Sequence, residues 1–161
     1  MWISFDELPE SARVWIYQAN REIDASTELE ILKSLQDFIQ DWAAHGSPLR
    51  GSARVYHKRF VVVGLDESYN AVSGCSTDAS VNAIKAIGAV HQIDFFDRTQ
   101  LAFLMDGQIK VYPLANVRNK EVPGDISPDT ITFNNLIQVK ADLDNAWKQP
   151  VRETWLARYV S

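Results

Sequence analysis

What this chain has little of excludes most of the chemistry a reader would look for first. It has a single cysteine, Cys75, so no disulfide within the chain can hold the fold together. It has three histidines, His45, His57 and His91, with neither HxH nor HExxH spacing among them. Together with one thiol they make no recognisable zinc set, and no metal or cofactor is expected. The GxGxxG fingerprint does not occur. GSPLRG at 46–51 keeps the GxxxxG spacing of a phosphate-binding loop, but Ser52 stands where that loop needs lysine. The reading also puts a helix before it and a strand after it, the reverse of the required context, so ATP hydrolysis of the P-loop kind is excluded.

Long apolar runs are missing too. FVVVGL at 60–65 is the longest, far short of the roughly 20 residues of a membrane-spanning helix. MWISFDELPE at the start lacks the basic residues and apolar stretch of a signal peptide, so a cytoplasmic location is expected. Basic charge is scarce: 16 lysines and arginines stand against 21 acidic residues, a net charge of −5. That balance argues against a nucleic-acid binder, which needs a concentrated basic face, and more weakly against an anionic membrane surface, while leaving room for a local basic patch. Lys58-Arg59 is the one basic pair flanked by apolar residues. There is no internal repeat, low-complexity tract or Gly/Ser linker.

What is present is an ordinary globular balance, 46% hydrophobic over 161 residues, enough for one domain with a real core. The core is expected over about 11–115, with a C-terminal extension over about 125–161 and the Pro/Gly-containing stretch 118–128 between them. ARVWIYQA at 12–19 reads as a strand buried on both faces, Val14 and Ile16 one way, Trp15 and Tyr17 the other. Thr27 and Glu30 have the spacing of a capping box. Leu29, Leu32, Leu35, Ile39 and Trp42 follow at helical spacing, Gly46 reads as a left-handed C-cap, and Pro48 prevents continuation. SARVYH and FVVVGL read as two strands or one long bent strand, because Lys58-Arg59 is poor tight-turn chemistry. A helix is expected from about Ser76 to Val90, with Val81, Ile84, Ile87 and Val90 inward. QLAFLM, Asp106-Gly107 and QIKVYPL make a hairpin, since Asp-Gly favours the primed turn that matches strand twist.

This order predicts an α+β fold. Its first six elements match a ferredoxin-like βαββαβ two-layer sandwich or a close variant, with an extra hairpin strand and a C-terminal helical extension. In the tail, Ser127-Pro128 suits the start of a short turn and TITFNNLIQV suits an extended segment. KADLDNAW reads as a short helix, and Trp155, Leu156, Tyr159 and Val160 recur at helical spacing. Trp2 and Trp155, near the two chain ends, are read as anchors onto the core.

The candidate site is LDESYNAVSGCSTDASV at 65–81. If the strand ends near Leu65 and the helix starts near Ser76, about ten residues connect them, where two to six or so are usual. Asp66, Glu67, Ser73, Gly74, Cys75, Ser76, Thr77 and Asp78 fall in or beside this connection. Ser76, Thr77 and Asp78 also suit an ordinary helix start. The helix dipole would favour a Cys75 thiolate, while Asp66 and Glu67 would oppose it. A cysteine nucleophile needs a base, and His91 would lie roughly 20 Å away along the helix at 1.5 Å per residue. No catalytic set is therefore assigned. Asn134 and Asn135, between apolar residues, are a secondary candidate, read first as a turn or as amides bonded to backbone. Asp97-Arg98 reads as a local ion pair or a turn.

At ARVWIYQANR (12–21), SGCSTDASV (73–81), FDR (96–98) and TFNNL (132–136) the chain resembles a family of small uncharacterised bacterial proteins. Its members often carry the automatic description "ABC transporter ATPase". VSGCS at 72–76 is only an echo of that class's LSGGQ signature, and no Walker lysine accompanies it. The resemblance brings no residue roles. The function expected is a non-enzymatic binding or interaction module whose partner is a protein, a second copy or a small ligand. The alternative is a small enzyme or ligand sensor that uses the 66–80 connection with Cys75 as its reactive group.

Overall fold

The computed structural model describes all residues, 1–161. The first layer is a three-stranded antiparallel sheet of β1 (Arg13–Gln18), β4 (Gly51–Tyr56) and β5 (Phe60–Leu65), in the order β1-β5-β4. Two helices, α1 (Ala25–Gln40) and α2 (Gly74–His91), cover one face. Ile31, Leu35 and Ile39 of α1 and Ile84 and Ile87 of α2 meet Tyr17, Val61, Val63 and Leu65 there. Period two sends Val14, Phe60 and Val62 to the opposite face. All of β5 is thus buried, as its unbroken apolar run implies. The split of β1 is as its residues imply: Trp15 and Tyr17 belong with the helices, Val14 and Ile16 with the other face.

That other face is covered by a second sheet. β6 (Gln100–Met105), β7 (Gln108–Pro113), β8 (Ile131–Phe133) and β9 (Lys148–Pro150) pair in the order β7-β6-β8-β9, all antiparallel. Ala102, Ile109, Val111, Phe133 and Trp147 fill the space between the sheets against Phe60 and Val62. The outer face of the second sheet presents Phe103 and Met105, covered by Val117, Ile126, Val151, Leu156 and Val160 from the C-terminal segment. The fold is therefore α+β, with helices, sheet, sheet and wrapping tail in successive layers. The β1-β5-β4 order agrees with the first part of a βαββαβ unit. The strand after α2 departs from it: β6 joins the second sheet instead of pairing with β1. The free edge of β1 is met by the chain at 138–140, where Val14 N–H donates to Gln138 O at 2.9 Å.

Several local expectations are corrected. The N-cap of α1 is Asp24, whose carboxylate accepts the Thr27 N–H at 2.8 Å, so Thr27 and Glu30 lie inside the helix. Leu29 is consequently 71% exposed, and Ile31 takes the inward position. Gly46 does not cap α1, which ends at Gln40. His45 (φ 50°) and Gly46 (φ 80°) instead make the tight turn of a small hairpin between β2 (Ala43–Ala44) and β3 (Ser47–Pro48). α2 begins at Gly74 rather than Ser76, and Val90 points outward, 76% exposed. Residues 51–65 form a hairpin, with His57 (φ 53°) and Lys58 (φ 54°) at its turn. Asp106-Gly107 makes the expected primed turn, with φ 53° and 76°. α3 (Leu114–Arg118) and β9 are additional, and α4 (Asp142–Asn145) lies within KADLDNAW. The end of the chain forms 3₁₀ turns at Val151–Glu153 and Trp155–Tyr159 rather than an α-helix. Leu156 is its anchor, while Trp155 is exposed. No helix is long and apolar enough to cross a membrane.

Candidate functional site

The connection from β5 to α2 covers residues 66–73; Asp66 and Ser68 bond each other, Ser73 caps the helix, and Asn70 donates to Pro48 O at 2.7 Å. Asp66 is buried, and its carboxylate accepts the Ser68 N–H at 3.0 Å and the Ser68 hydroxyl. That is a side chain mimicking a backbone turn. The Asp66 N–H donates to Arg50 O at 2.8 Å, continuing the β4–β5 pairing by one residue. Glu67 is exposed and stands apart from these bonds.

Ser73 is the N-cap of α2. Its hydroxyl accepts the Ser76 N–H at 3.1 Å, and the Ser73 N–H donates back to Ser76 Oγ at 2.7 Å. The pair is a capping box built from two serines. Ser76 is buried, and its carbonyl accepts the Trp42 indole N–H at 2.9 Å, tying the start of α2 to the chain two residues past the end of α1. The Thr77 hydroxyl donates to Ser73 O at 3.0 Å. Gly74 has no atom within 4 Å of where a Cβ would stand and no left-handed φ, so it meets no special backbone demand. Cys75 and Asp78 are exposed in the first turns of α2. The structure thus brings Ser73, Ser76 and Thr77 into one bonded cap, with Asp66 in a separate turn.

The asparagine pair is elsewhere. Asn135 accepts the Trp147 indole N–H at 2.9 Å and donates to Gln18 Oε1 at 3.1 Å, while Gln18 donates to Gln100 O at 2.9 Å. This chain ties the end of β1 to the second sheet. Asn134 Oδ1 accepts the Leu136 N–H at 3.1 Å. Gln18 pairs with Phe60, and Arg13 pairs with Leu65. The asparagines and the 66–73 connection therefore lie at opposite ends of β5, roughly 17 Å apart at 3.3 Å per residue. Asp97 is an Asx-type turn that accepts from Thr99, not an ion pair with Arg98.

Two clefts lie at the Gln18–Phe60 end, and neither involves 66–80. The first, about 380 Å³, runs along the C-terminal half of α2 and is lined by Asn20, Ile84, Lys85, Gly88, Ile93 and Phe96, among others. Lys85 Nζ stands 5.6 Å from the centre of the Phe96 ring. Arg21 donates to His91 O at 2.6 Å, and His91 Nδ1 is 3.6 Å from Glu30 Oε2. The end of α2 therefore adjoins the first turns of α1, where Leu29 is exposed.

The second cleft, about 310 Å³, lies between the β4–β5 turn and the β6–β7 turn. Glu22, His57, Lys58, Arg59, Gly107 and Gln108 line it. The His57 ring lies against aromatic neighbours, 5.6 Å from Phe133 and 6.0 Å from Trp147 between centroids. Burial, and then the charge of Lys148, hold His57 below its ordinary value of 6.5. Burial also lowers the Arg59 pKa, opposed by Glu22. Neither cleft was assigned from the sequence. The signal for the second was there: a basic pair placed where tight-turn residues belong. No group of three or more His, Cys, Asp or Glu side chains is placed to hold a metal ion.

Compared with protein-family models, curated proteins and solved structures, the chain matches none of them.

Proposed function

We infer that this chain is a non-enzymatic interaction module that binds a protein partner, a second copy included, through the end of its helical layer. One observation carries the reading. Leu29 (71% exposed), Val90 (76%) and Phe96 (37%) are large apolar side chains left in water at the end of the helical layer where the last turn of α2 meets the first turns of α1; Phe96 lines the groove of α2, and Leu29 and Val90 stand outside it. Single exposed apolar residues are normal, whereas several at one end of a layer, with a groove beside them, supply apolar surface for a partner to cover. At the opposite end Asp66, Ser73, Ser76 and Thr77 use their side chains within the turn and the cap of α2, which favours a well-capped joint over a reactive loop. The α+β layering is consistent with the reading, with the β1-β5-β4 sheet and its helices as a ferredoxin-like half completed by a second sheet. A cytoplasmic, bacterial setting, as the family resemblance implies, belongs to the same proposal.

The test places a photo-crosslinking residue at position 90 and, as control, at Asp129, an exposed position on the C-terminal segment. Position 90 should give one defined adduct, with itself or with another protein, and Leu29→Glu should remove it while leaving the unfolding transition in place. Equal, diffuse labelling from both positions would defeat the reading. Sedimentation from micromolar to millimolar concentration then separates self-association from a different partner.

A further inference from the structure

We propose that the cleft between the β4–β5 and β6–β7 turns binds the oxyanion group of a small molecule, a carboxylate or a phosphate, with Arg59 as the principal ligand. Arg59 is half-buried, and its Nε–H donates to Ala19 O at 3.1 Å. That bond fixes the plane of the guanidinium and leaves its terminal amino groups without a protein partner. Arg54 and Arg152 each pair with an aspartate, whereas no carboxylate forms an ion pair with Arg59. A guanidinium that has lost part of its water, is held in one plane and is bonded to no carboxylate, with Glu22 near but unpaired with it, is prepared for a fork-shaped acceptor.

The surroundings support the same occupant. The backbone of the turn is clamped to the β1–α1 connection, with Ala19 N–H donating to Arg59 O and Ile23 N–H to Lys58 O, each at 2.7 Å. His57 and Lys58 hold left-handed φ there, although neither is glycine. The turn keeps two basic side chains where Asn-Gly would fit the backbone more easily. Lys58 Nζ is 4.0 Å from Glu22 Oε1, a loose contact between two exposed side chains that an entering anion can replace. Gln108 adds an exposed amide on the second turn, and Gly107 has open space around its Cα. Lys58 and Arg59 bring two positive charges and Glu22 one negative charge. The resulting excess of one suits a singly charged group better than a doubly charged one. The size of the cleft suits one small ligand.

The test is an NMR titration of the ¹⁵N-labelled chain with sodium acetate and, separately, inorganic phosphate, against sodium chloride at equal ionic strength. The wild type should show saturable shifts confined to 19–23, 57–59 and 106–108, including the Arg59 Nε–H. Saturation by acetate at lower concentration assigns a carboxylate, and saturation by phosphate at lower concentration assigns a phosphate. Arg59→Lys keeps charge but loses the fork, and should weaken binding about 10-fold or more, as loss of a charged hydrogen bond does. Lys58→Ala leaves the Ala19 contact intact and should weaken binding by a few-fold. The proposal is overturned if neither anion saturates, if chloride reproduces the shifts, or if Arg59→Lys binds as the wild type does. It stands or falls separately from the docking face, because Leu29→Glu should leave this titration unchanged.

Discussion

Replacing Gly88 with alanine sets two physical effects against each other, and the geometry says which wins. Gly88 lies in the last turn of α2, a position where alanine ordinarily stabilises a helix by about 1 kcal/mol. Just beyond the helix Gln92 takes the left-handed conformation (φ 56°, ψ 44°), and the chain folds back so that Ile93 N–H bonds Gly88 O at 2.9 Å. A Cβ on Gly88 would stand 2.5 Å from the Ile93 carbonyl oxygen and 3.4 Å from Phe95 Cδ2. The nearer atom is backbone, and Ile93 and Phe95 are both buried, so a rotamer change cannot relieve the clash. Overpacking of this kind costs about 1–3 kcal/mol. The net expectation for Gly88→Ala is a loss of about 1 kcal/mol, up to about 2 kcal/mol, after the propensity gain is subtracted.

Gly74→Ala is the matched control. Its Cβ would meet nothing within 4 Å, so only the backbone-entropy gain remains, about 0.4–1 kcal/mol of added stability. Urea unfolding of both variants beside the wild type, with m values compared, measures the two shifts. Opposite signs are expected. A Gly88→Ala midpoint at or above that of the wild type would mean that α2 does not meet Ile93 as described, and the groove next to it would lose its floor.

Ser73→Ala should cost about 1 kcal/mol in the same assay, because it removes the hydroxyl that caps α2. Cys75→Ala should change stability by no more than about 0.5 kcal/mol, and the native protein should react readily with a thiol reagent, since Cys75 is exposed; a thiol inert until unfolding would contradict its placement. His57 has its pKa lowered from 6.5, so the unfolded chain binds more protons between that value and the folded one. Its contribution to stability is therefore complete above pH 6.5 and is lost as pH falls through the interval below; His57→Gln should flatten that part of the stability–pH curve, and an unchanged slope would count against the shift.

Much of the first layer was legible in the sequence because it depends on local pattern. The two-sided burial of β1 follows from alternating large apolar residues; in the second sheet the β6–β7 hairpin was legible for the same reason, because Asp106-Gly107 specifies its turn through backbone sterics alone. Beyond that hairpin the second sheet was not legible. β8 and β9 are three residues each and separated in sequence, and they become strands by pairing with β6 and with each other. No periodicity in so short a segment announces such a partner. The start of α1 was misplaced by one turn because Asp24 and Thr27 are both competent caps three residues apart. The register that buries Ile31, Leu35 and Ile39 selects the aspartate. Within the 66–80 stretch the length and polarity of the connection were visible, but Asp66, Ser73, Ser76 and Thr77 use their side chains within the turn and the cap. A serine reads the same whether it faces a ligand or caps a helix.

The two ends of the first sheet therefore differ in what they do with polar groups. At the Leu65 end, Asp66, Ser73 and Ser76 satisfy backbone donors that would otherwise be unpaired. At the Phe60 end the backbone is satisfied by main-chain bonds from Ala19 and Ile23; Lys58 keeps only a loose contact with Glu22, and Arg59 uses one N–H on Ala19 O and keeps its terminal amino groups unbonded. The difference originates in β5. Because both of its faces are buried, neither end of the strand can shift its register without moving an entire apolar set into the wrong layer. A turn attached to so fixed a strand keeps its side chains in place without their help. Arg59 is held in one plane beside the cleft by its bond to Ala19 O, which is what distinguishes the proposed ligand from an exposed charge.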